Sequence, residues 1–211
     1  MATYKGIQGY TVQSLSSDPT ASEAEGQLWY NSGSGKFKVA EAGTGAWSAT
    51  TATPTALYRG GIAGTTTATL AFGGYFPPGS PSYFSAATIS FDGSTWTEVN
   101  ALPDSMSGNR GLGTQAAALS SGGENPPFLN AAYEWDGTSW TTGGVMNQAR
   151  GAMYPFGTQT AAVIAGGNNP GPTRLNYVEE YNGTAWTEVT AIPATQKEGG
   201  GAGTETAGLI F

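Results

Sequence analysis

Carboxylates are the main side chains in this sequence that could carry acid–base chemistry. Four of them recur at matching positions of a repeated pattern, namely Asp92, Glu98, Asp136 and Glu188. The chain contains no His and no Cys, so it lacks the commonest general base and the usual zinc and copper ligands. An Asp that recurs beside Gly in a short turn indicates a turn role, because Asp caps its own backbone there. The sequence therefore predicts no enzyme, no catalytic residue, no metal and no cofactor, with an enzyme of unknown type as the weakest alternative.

Composition and charge narrow the class of protein. The chain has 8 Lys and Arg against 15 Asp and Glu, a formal net charge of -7, which repels phosphate backbones and predicts no nucleic-acid partner. We find no apolar stretch of about 20 residues and no signal-peptide pattern, so we expect no transmembrane segment and no membrane insertion. The 33 Gly and the runs of Thr, Ser and Ala favour turns and strands. An all-β fold is expected.

Two elements repeat in phase along the chain. An aromatic-Asx-Gly-x-x-Trp element occurs at 91–96, 135–140 and 181–186, with a fainter copy at 42–47. An apolar element that ends in Gly-Gly occurs at 69–74, 118–123 and 163–167, and again without the glycines at 208–211. The tryptophans Trp47, Trp96, Trp140 and Trp186 are spaced by 49, 44 and 46 residues, close to the period of a four-stranded propeller blade.

Each repeat divides into an outer and an inner strand pair. The Asx-Gly turn joins two short alternating runs as a hairpin, which we interpret as the outer pair. A Gly-rich run followed by the apolar run is interpreted as the inner pair, because crowding near a propeller axis favours small side chains. A large ring once per blade suits packing between blades, so the four recurrent tryptophans are predicted to be structural.

This pattern of double glycines and tryptophans resembles kelch repeats. The resemblance covers residues 36 to 211 and implies a kelch-like β-propeller, although four repeats are fewer than the six or seven blades common in that family. The order of strands begins with an outer pair near Phe37 and ends with an inner pair at Phe211. We therefore expect the first outer pair to complete the last inner pair in a four-bladed ring, either within one chain or between chains.

Residues 1 to 35 form a separate N-terminal arm in this interpretation. Its Gly26-Gln27-Leu28-Trp29-Tyr30-Asn31 run resembles a hairpin of tail-fibre and other virion proteins of bacteriophages, and similar repeats occur in proteins encoded by marine phages. The resemblance implies that Leu28, Trp29 and Tyr30 serve assembly or anchoring. An ordinary hairpin with a local core is the alternative.

The longer loops of the repeats are the candidate binding surface. They carry prolines and aromatic rings on one face, and rigid loops lose little entropy on contact. The predicted partner-binding residues are Tyr75, Phe76, Tyr83, Phe128, Asn168 and Arg174. The alternative is that the prolines end strands and cover blade edges. Arg59, Arg110 and Arg150 precede the inner strands, where they line a channel, bind acidic sugars, or pair with carbonyls or carboxylates near the central opening.

Two functional hypotheses follow from these observations. The first is a non-catalytic structural protein of a phage virion, a tail-fibre or capsid-associated adhesin or spacer, made in the host cytoplasm. Its arm docks to the particle, and its partners are other virion proteins or copies of itself, with a host-surface glycan or protein as a further partner. The second is a free lectin-like module that binds glycan or protein.

Overall fold

The computed structural model describes residues 13–16, 28–39, 51–76, 83–169 and 174–211. Every regular element within those ranges is a β-strand, so the expected all-β class is confirmed. The chain divides into two compact units, Met1–Ala49 and Thr50–Phe211. No helix of the described residues is long and apolar enough to cross a membrane.

The first unit contains one three-stranded sheet. Strand β1 (Gln13–Leu15) runs parallel to β2 (Leu28–Asn31), and β2 pairs in antiparallel fashion with β3 (Lys36–Val39). The turn between β2 and β3 is held by the Asn31 side chain, whose Oδ1 accepts a 2.8 Å hydrogen bond from the Ser34 N–H. Tyr30 is half-buried, while only the backbone of Leu28 and Trp29 is described.

The boundary between the units differs from the expected one after residue 35. Residues 36 to 39 pair with β2, and the first unit extends to Ala49. The strand expected near Phe37 as part of a first outer pair is therefore β3 of the N-terminal sheet. Trp47 lies outside the described residues.

The second unit contains three antiparallel four-stranded sheets and a terminal hairpin. Sheet 1 consists of β4 (Gly61–Thr65), β5 (Ala68–Phe72), β6 (Thr88–Phe91) and β7 (Trp96–Val99). Sheet 2 consists of β8 (Arg110–Gly113), β9 (Ala118–Ser121), β10 (Ala132–Trp135) and β11 (Trp140–Thr142). Sheet 3 consists of β12 (Tyr154–Thr158), β13 (Ala161–Ala165), β14 (Val178–Tyr181) and β15 (Trp186–Val189). The terminal hairpin pairs β16 (Gly201–Thr204) with β17 (Ala207–Ile210).

The recurrent Asx residues hold the outer hairpins. Asp92 Oδ1 accepts hydrogen bonds from the N–H groups of Ser94 (2.9 Å) and Thr95 (2.8 Å), and Gly93 takes a left-handed φ of 96°. Asp136 and Asn182 accept the same two backbone bonds in the next two repeats. These backbone donors favour the charged form and lower the pKa of both the Asp92 and the Asp136 carboxyl.

The hydrophobic core lies between successive sheets. Leu70 and Phe72 of sheet 1 share one buried cluster with Tyr133, Trp135 and Trp140 of sheet 2. A second cluster joins sheets 2 and 3 and includes Leu119, Ile164 and Trp186. A third lies on the other side of sheet 3, where Ile210 of the terminal hairpin packs against it. Each sheet thus buries apolar side chains on the face it presents to its neighbour in sequence.

Candidate functional site

Four equivalent turns precede the inner strands β4, β8, β12 and β16, and we call them the hub turns. Each has one residue in the left-handed conformation, namely Arg59, Gly108, Ala152 and Glu198, with φ of 61°, 65°, 56° and 65°. Backbone hydrogen bonds join them in sequence: the Gly108 N–H donates to the Arg59 carbonyl at 2.8 Å, and the Ala152 N–H to the Gly108 carbonyl at 2.8 Å. The Glu198 N–H donates in the same way to the Ala152 carbonyl at 2.9 Å. These hydrogen bonds therefore hold the four repeats together where the inner strands begin.

The first residue after each double glycine is bound to a hub turn. The Tyr75 N–H donates to the Tyr58 carbonyl at 2.7 Å, and the Glu124 N–H donates to the Ser107 carbonyl at 2.7 Å. In the third repeat the Asn168 N–H donates to the Gly151 carbonyl at 2.9 Å. Tyr75, Glu124 and Asn168 thus occupy equivalent positions in three successive repeats. Tyr75 and Asn168 are predicted site residues, and Glu124 is the equivalent residue of the repeat between them.

Aromatic rings gather around Tyr75. Its ring centroid lies 5.2 Å from that of Tyr58, 5.2 Å from that of Phe84 and 6.3 Å from that of Tyr83. The Tyr58 and Tyr83 side chains are 47% and 69% exposed. Arg59 adds a charge to this group, since its Cζ lies 5.7 Å from the Tyr75 ring centroid.

Charged groups link these rings to two other repeats. Arg59 Nη1 lies 3.7 Å from Glu124 Oε1, and Arg59 Nη2 lies 3.9 Å from Glu198 Oε1. The Tyr75 hydroxyl donates to Glu124 Oε1. Burial, and then this bond to a carboxylate, raise the pKa of Tyr75. We call this set the aromatic face, which consists of Tyr58, Arg59, Tyr75, Tyr83 and Glu124.

The remaining predicted residues lie on other parts of the loops. The Phe76 N–H donates to the Tyr83 carbonyl at 3.1 Å, which closes the base of the first loop. Phe128 is half-buried on the equivalent loop of the second repeat, and Arg174 is exposed on that of the third, where it forms a β-bridge with Asn168. The loop residues 77–82 and 170–173 lie outside the described residues.

The three arginines that precede the inner strands have three different environments. Arg59 belongs to the aromatic face, and Arg110 Nε donates a 2.8 Å bond to the Met153 carbonyl. Arg150 is fully buried and its Nη1 donates to the equally buried Glu179. Burial lowers the pKa of Arg150, and the Glu179 charge opposes that shift.

Sequence reasoning missed Tyr58 and the role of Glu124. Their position in the repeat is the signal that could have found them. Tyr58 directly precedes Arg59 of a hub turn, and the Glu124 N–H is hydrogen-bonded to the Ser107 carbonyl beside another. In the described parts of the chain no three acidic residues lie close enough together to hold a metal ion, and His and Cys are absent from the sequence.

Two comparisons of the sequence with known proteins found no match. No protein-family model matches the sequence, and no curated protein is significantly similar to it. The functional argument therefore rests on the residues of this chain.

Proposed function

We propose that this chain is a non-catalytic structural and adhesive protein of a bacteriophage particle. Its N-terminal unit docks onto the particle, and its second unit presents the aromatic face to a partner. The observation that carries the adhesive part is the group of exposed rings around Tyr75, with Arg59 held among them.

The chemistry of the aromatic face favours recognition. Exposed Tyr58 and Tyr83 offer large contact area with few rotatable bonds. Arg59 and Glu124 supply charged donors and acceptors beside the rings, and their mutual contact at 3.7 Å restricts their positions before a partner arrives. Little conformational entropy is then lost on binding.

The docking role is supported by the N-terminal residues. Their resemblance to hairpins of phage tail-fibre proteins covers 26–39, and the β2–β3 hairpin at 28–39 belongs to the smaller of the two compact units. A hairpin within a compact unit of its own suits attachment to another protein.

The proposal includes a kelch-like four-bladed propeller whose last blade is completed by an additional outer strand pair. Supporting this closure, Leu209 and Phe211 are 66% and 72% exposed, whereas Leu70 and Phe72 at equivalent places are both 1% exposed. The terminal hairpin also has two strands, whereas each of the other three sheets of the second unit has four. The missing pair comes from the same chain or from a neighbouring copy.

The particle role is tested by mass spectrometry of purified virions. We expect the full chain at a fixed copy number, and we expect a variant that lacks residues 1 to 35 to fold but not to be incorporated. The matched control is a full-length Tyr83→Ala variant, which keeps the arm and changes only the aromatic face. Absence of the full chain from particles, or equal incorporation of the arm-deleted chain, would refute the docking role.

A free lectin-like module is the second candidate function. The aromatic face favours it, because tyrosine rings beside a carboxylate and a guanidinium are the groups with which proteins stack on sugar rings and bind their hydroxyls. A monomer that binds glycans and never enters particles would establish this function instead.

A further inference from the structure

The inner strands of the second unit border one open cavity of about 560 Å³. Strands β4, β8, β12 and β16 are edge strands of their sheets, so each has one row of N–H and C=O groups that its own sheet does not use. Among the described residues these four strands belong to four different sheets and none pairs with another. The cavity walls therefore expose both donors and acceptors.

Glycine brings these backbones close to the cavity. A Cβ on Gly111 would lie 2.5 Å from Ile62 N, so β8 approaches β4 at a distance that a side chain would prevent. Glycines also dominate the fourth wall at Gly199, Gly200 and Gly201. The cavity lining consequently combines polar backbone with apolar side chains such as Ile62 and Phe156.

Arg110 is the one charged side chain among the described residues that line the cavity. Its Nε is used by the Met153 carbonyl, but the described residues provide no hydrogen-bond acceptor for Nη1 or Nη2 and no carboxylate within 4 Å. Burial, and then the neighbouring Arg59 charge, lower the pKa of Arg110, while the Glu198 charge opposes that shift. The cavity therefore contains a positive charge that no carboxylate of the described residues contacts directly.

We propose that this central cavity binds a small, hydroxyl-rich carboxylate, namely an acidic monosaccharide such as a hexuronate. The two terminal amino groups of Arg110 match the two oxygens of a carboxylate in a bidentate pair. Sugar hydroxyls both donate and accept, which suits walls of alternating N–H and C=O groups. The cavity volume lies within the range of small-molecule sites, which is about 300–1,000 Å³.

The chemistry disfavours other small ligands. A simple inorganic anion would pair with Arg110 but leave the backbone groups of the walls to water. A nucleotide would bring several negative charges to a single guanidinium in a chain of net charge -7. No residue of the aromatic face lines the cavity, and the site does not depend on the particle role.

Titration of the full chain with sodium D-glucuronate, followed by amide NMR, tests the site. We expect saturable shifts at inner-strand glycines such as Gly61, Gly111 and Gly201, and at least tenfold weaker binding of D-glucose, which lacks the carboxylate. Sodium acetate serves as the carboxylate-only control and should bind more weakly than glucuronate. No saturable binding of glucuronate, equal affinity for glucose, or shifts confined to the aromatic face would overturn the proposal.

Substitutions at Arg110 separate ligand binding from structure. Arg110→Gln keeps a donor for the Met153 carbonyl but removes the charge, so it should weaken glucuronate binding about tenfold or more and leave glucose binding unchanged. Arg110→Lys keeps the charge without the bidentate geometry and should bind with intermediate affinity. Lys36→Gln, at an exposed cation that does not line the cavity, is the control. Thermal unfolding verifies that each variant is folded. If Arg110→Gln does not fold, the glucuronate affinity of Arg110→Lys tests the proposal instead. Wild-type glucuronate affinity in a folded Arg110 variant would refute the role of Arg110 in the site.

Discussion

The Trp140 indole is hydrogen-bonded to Thr88 across the interface between sheets 2 and 1. Its Nε1 donates to Thr88 Oγ1 at 3.0 Å. Its ring packs edge-on against the Phe72 ring, with the two ring centroids 4.7 Å apart. The equivalent Trp186 is buried in the next interface, but its Nε1 has no partner among the described residues. The reason is that Ala132 stands where Thr88 stands one repeat earlier, and a methyl group cannot accept a hydrogen bond.

Replacing Thr88 should therefore destabilise the protein through the Trp140 N–H. Thr88→Val keeps the shape and removes the acceptor, so the free energy of unfolding should fall by about 1–3 kcal/mol, the cost of a buried unsatisfied donor. Thr88→Ser keeps the hydroxyl and should cost less than Val. Denaturant unfolding measures both, and a Val variant as stable as wild type would contradict the argument.

The opposite change at Ala132 is the complement of this experiment. Ala132→Ser places a hydroxyl near Trp186 Nε1 and should raise the free energy of unfolding by up to about 1 kcal/mol. The added oxygen is small, which limits overpacking at this fully buried position.

The outer hairpins were predictable from the sequence, and parts of the site were not. An Asx-Gly turn between short alternating runs is a local signal, and the predicted pairing of 88–91 with 96–99 is confirmed. The strand near Phe37 was expected in a first outer pair, but it pairs with β2, to which a turn of residues 32–35 joins it directly. The contact of Arg59 with Glu124 and Glu198 likewise requires the hub turns to bring three repeats together.

Two glutamines in the inner-hairpin turns bridge neighbouring sheets, and Glu205 occupies the equivalent turn position. Gln159 Nε2 donates to the carbonyls of Ala118 (2.9 Å) and Trp135 (2.7 Å), and Gln115 does the same with sheet 1. Glu205 follows Thr204 as Gln159 follows Thr158, but an ionised carboxylate has no proton to donate to carbonyls.

Glu205→Gln should therefore attach the terminal hairpin more firmly to sheet 3. We expect a gain of about 1 kcal/mol in the free energy of unfolding and a higher melting temperature. The reciprocal control Gln159→Glu should destabilise the protein. If the melting temperature changes in neither variant, the glutamine bridges have no energetic role.

Arg150 and Glu179 form a fully buried ion pair between sheets 2 and 3. Glu179 Oε2 also accepts bonds from Asn147 N (2.7 Å) and Nδ2 (2.8 Å). In the preceding interface the place of Arg150 is taken by Met106, since both accept a backbone bond from the second Gly of the Gly-Gly pair.

Arg150→Met should destabilise the protein by about 3–5 kcal/mol, because it leaves the Glu179 carboxylate buried without its counter-ion. The double variant Arg150→Met/Glu179→Gln should lose less, since a neutral amide oxygen still accepts from Asn147. Arg174→Met, at an exposed arginine, should stay within about 0.5 kcal/mol of wild type. Equal losses in the single and double variants, measured by denaturant unfolding, would show that the unpaired charge is not the cause.

The proposed closure of the fourth sheet makes Leu209 a decisive position. If an outer strand pair covers β17, Leu209→Ala should lower the free energy of unfolding by about 2–3 kcal/mol, as for a core leucine. Deleting Thr204 to Phe211 should then prevent soluble folding, because two blades would keep open edges. Val145→Ala, at another exposed apolar residue, is the control and should have little effect. A Leu209→Ala variant that unfolds like wild type, together with a soluble truncated chain, would refute closure.

The last prediction concerns the exposed rings of the aromatic face. Tyr58→Ala and Tyr83→Ala together should weaken partner binding by about 2 kcal/mol or more, because exposed aromatic anchors commonly dominate interfaces. The melting temperature should change little, since Tyr58 and Tyr83 are 47% and 69% exposed. Tyr75→Phe should behave differently: it removes the hydroxyl that donates to Glu124, so we expect a loss of stability as well as weaker binding. The loss of binding is measured with host cells and a glycan panel, with Val145→Ala as the control. Differential scanning calorimetry measures the change in melting temperature. If the Tyr58 and Tyr83 changes lower the melting temperature sharply and leave binding intact, the rings protect the fold and the partner binds elsewhere.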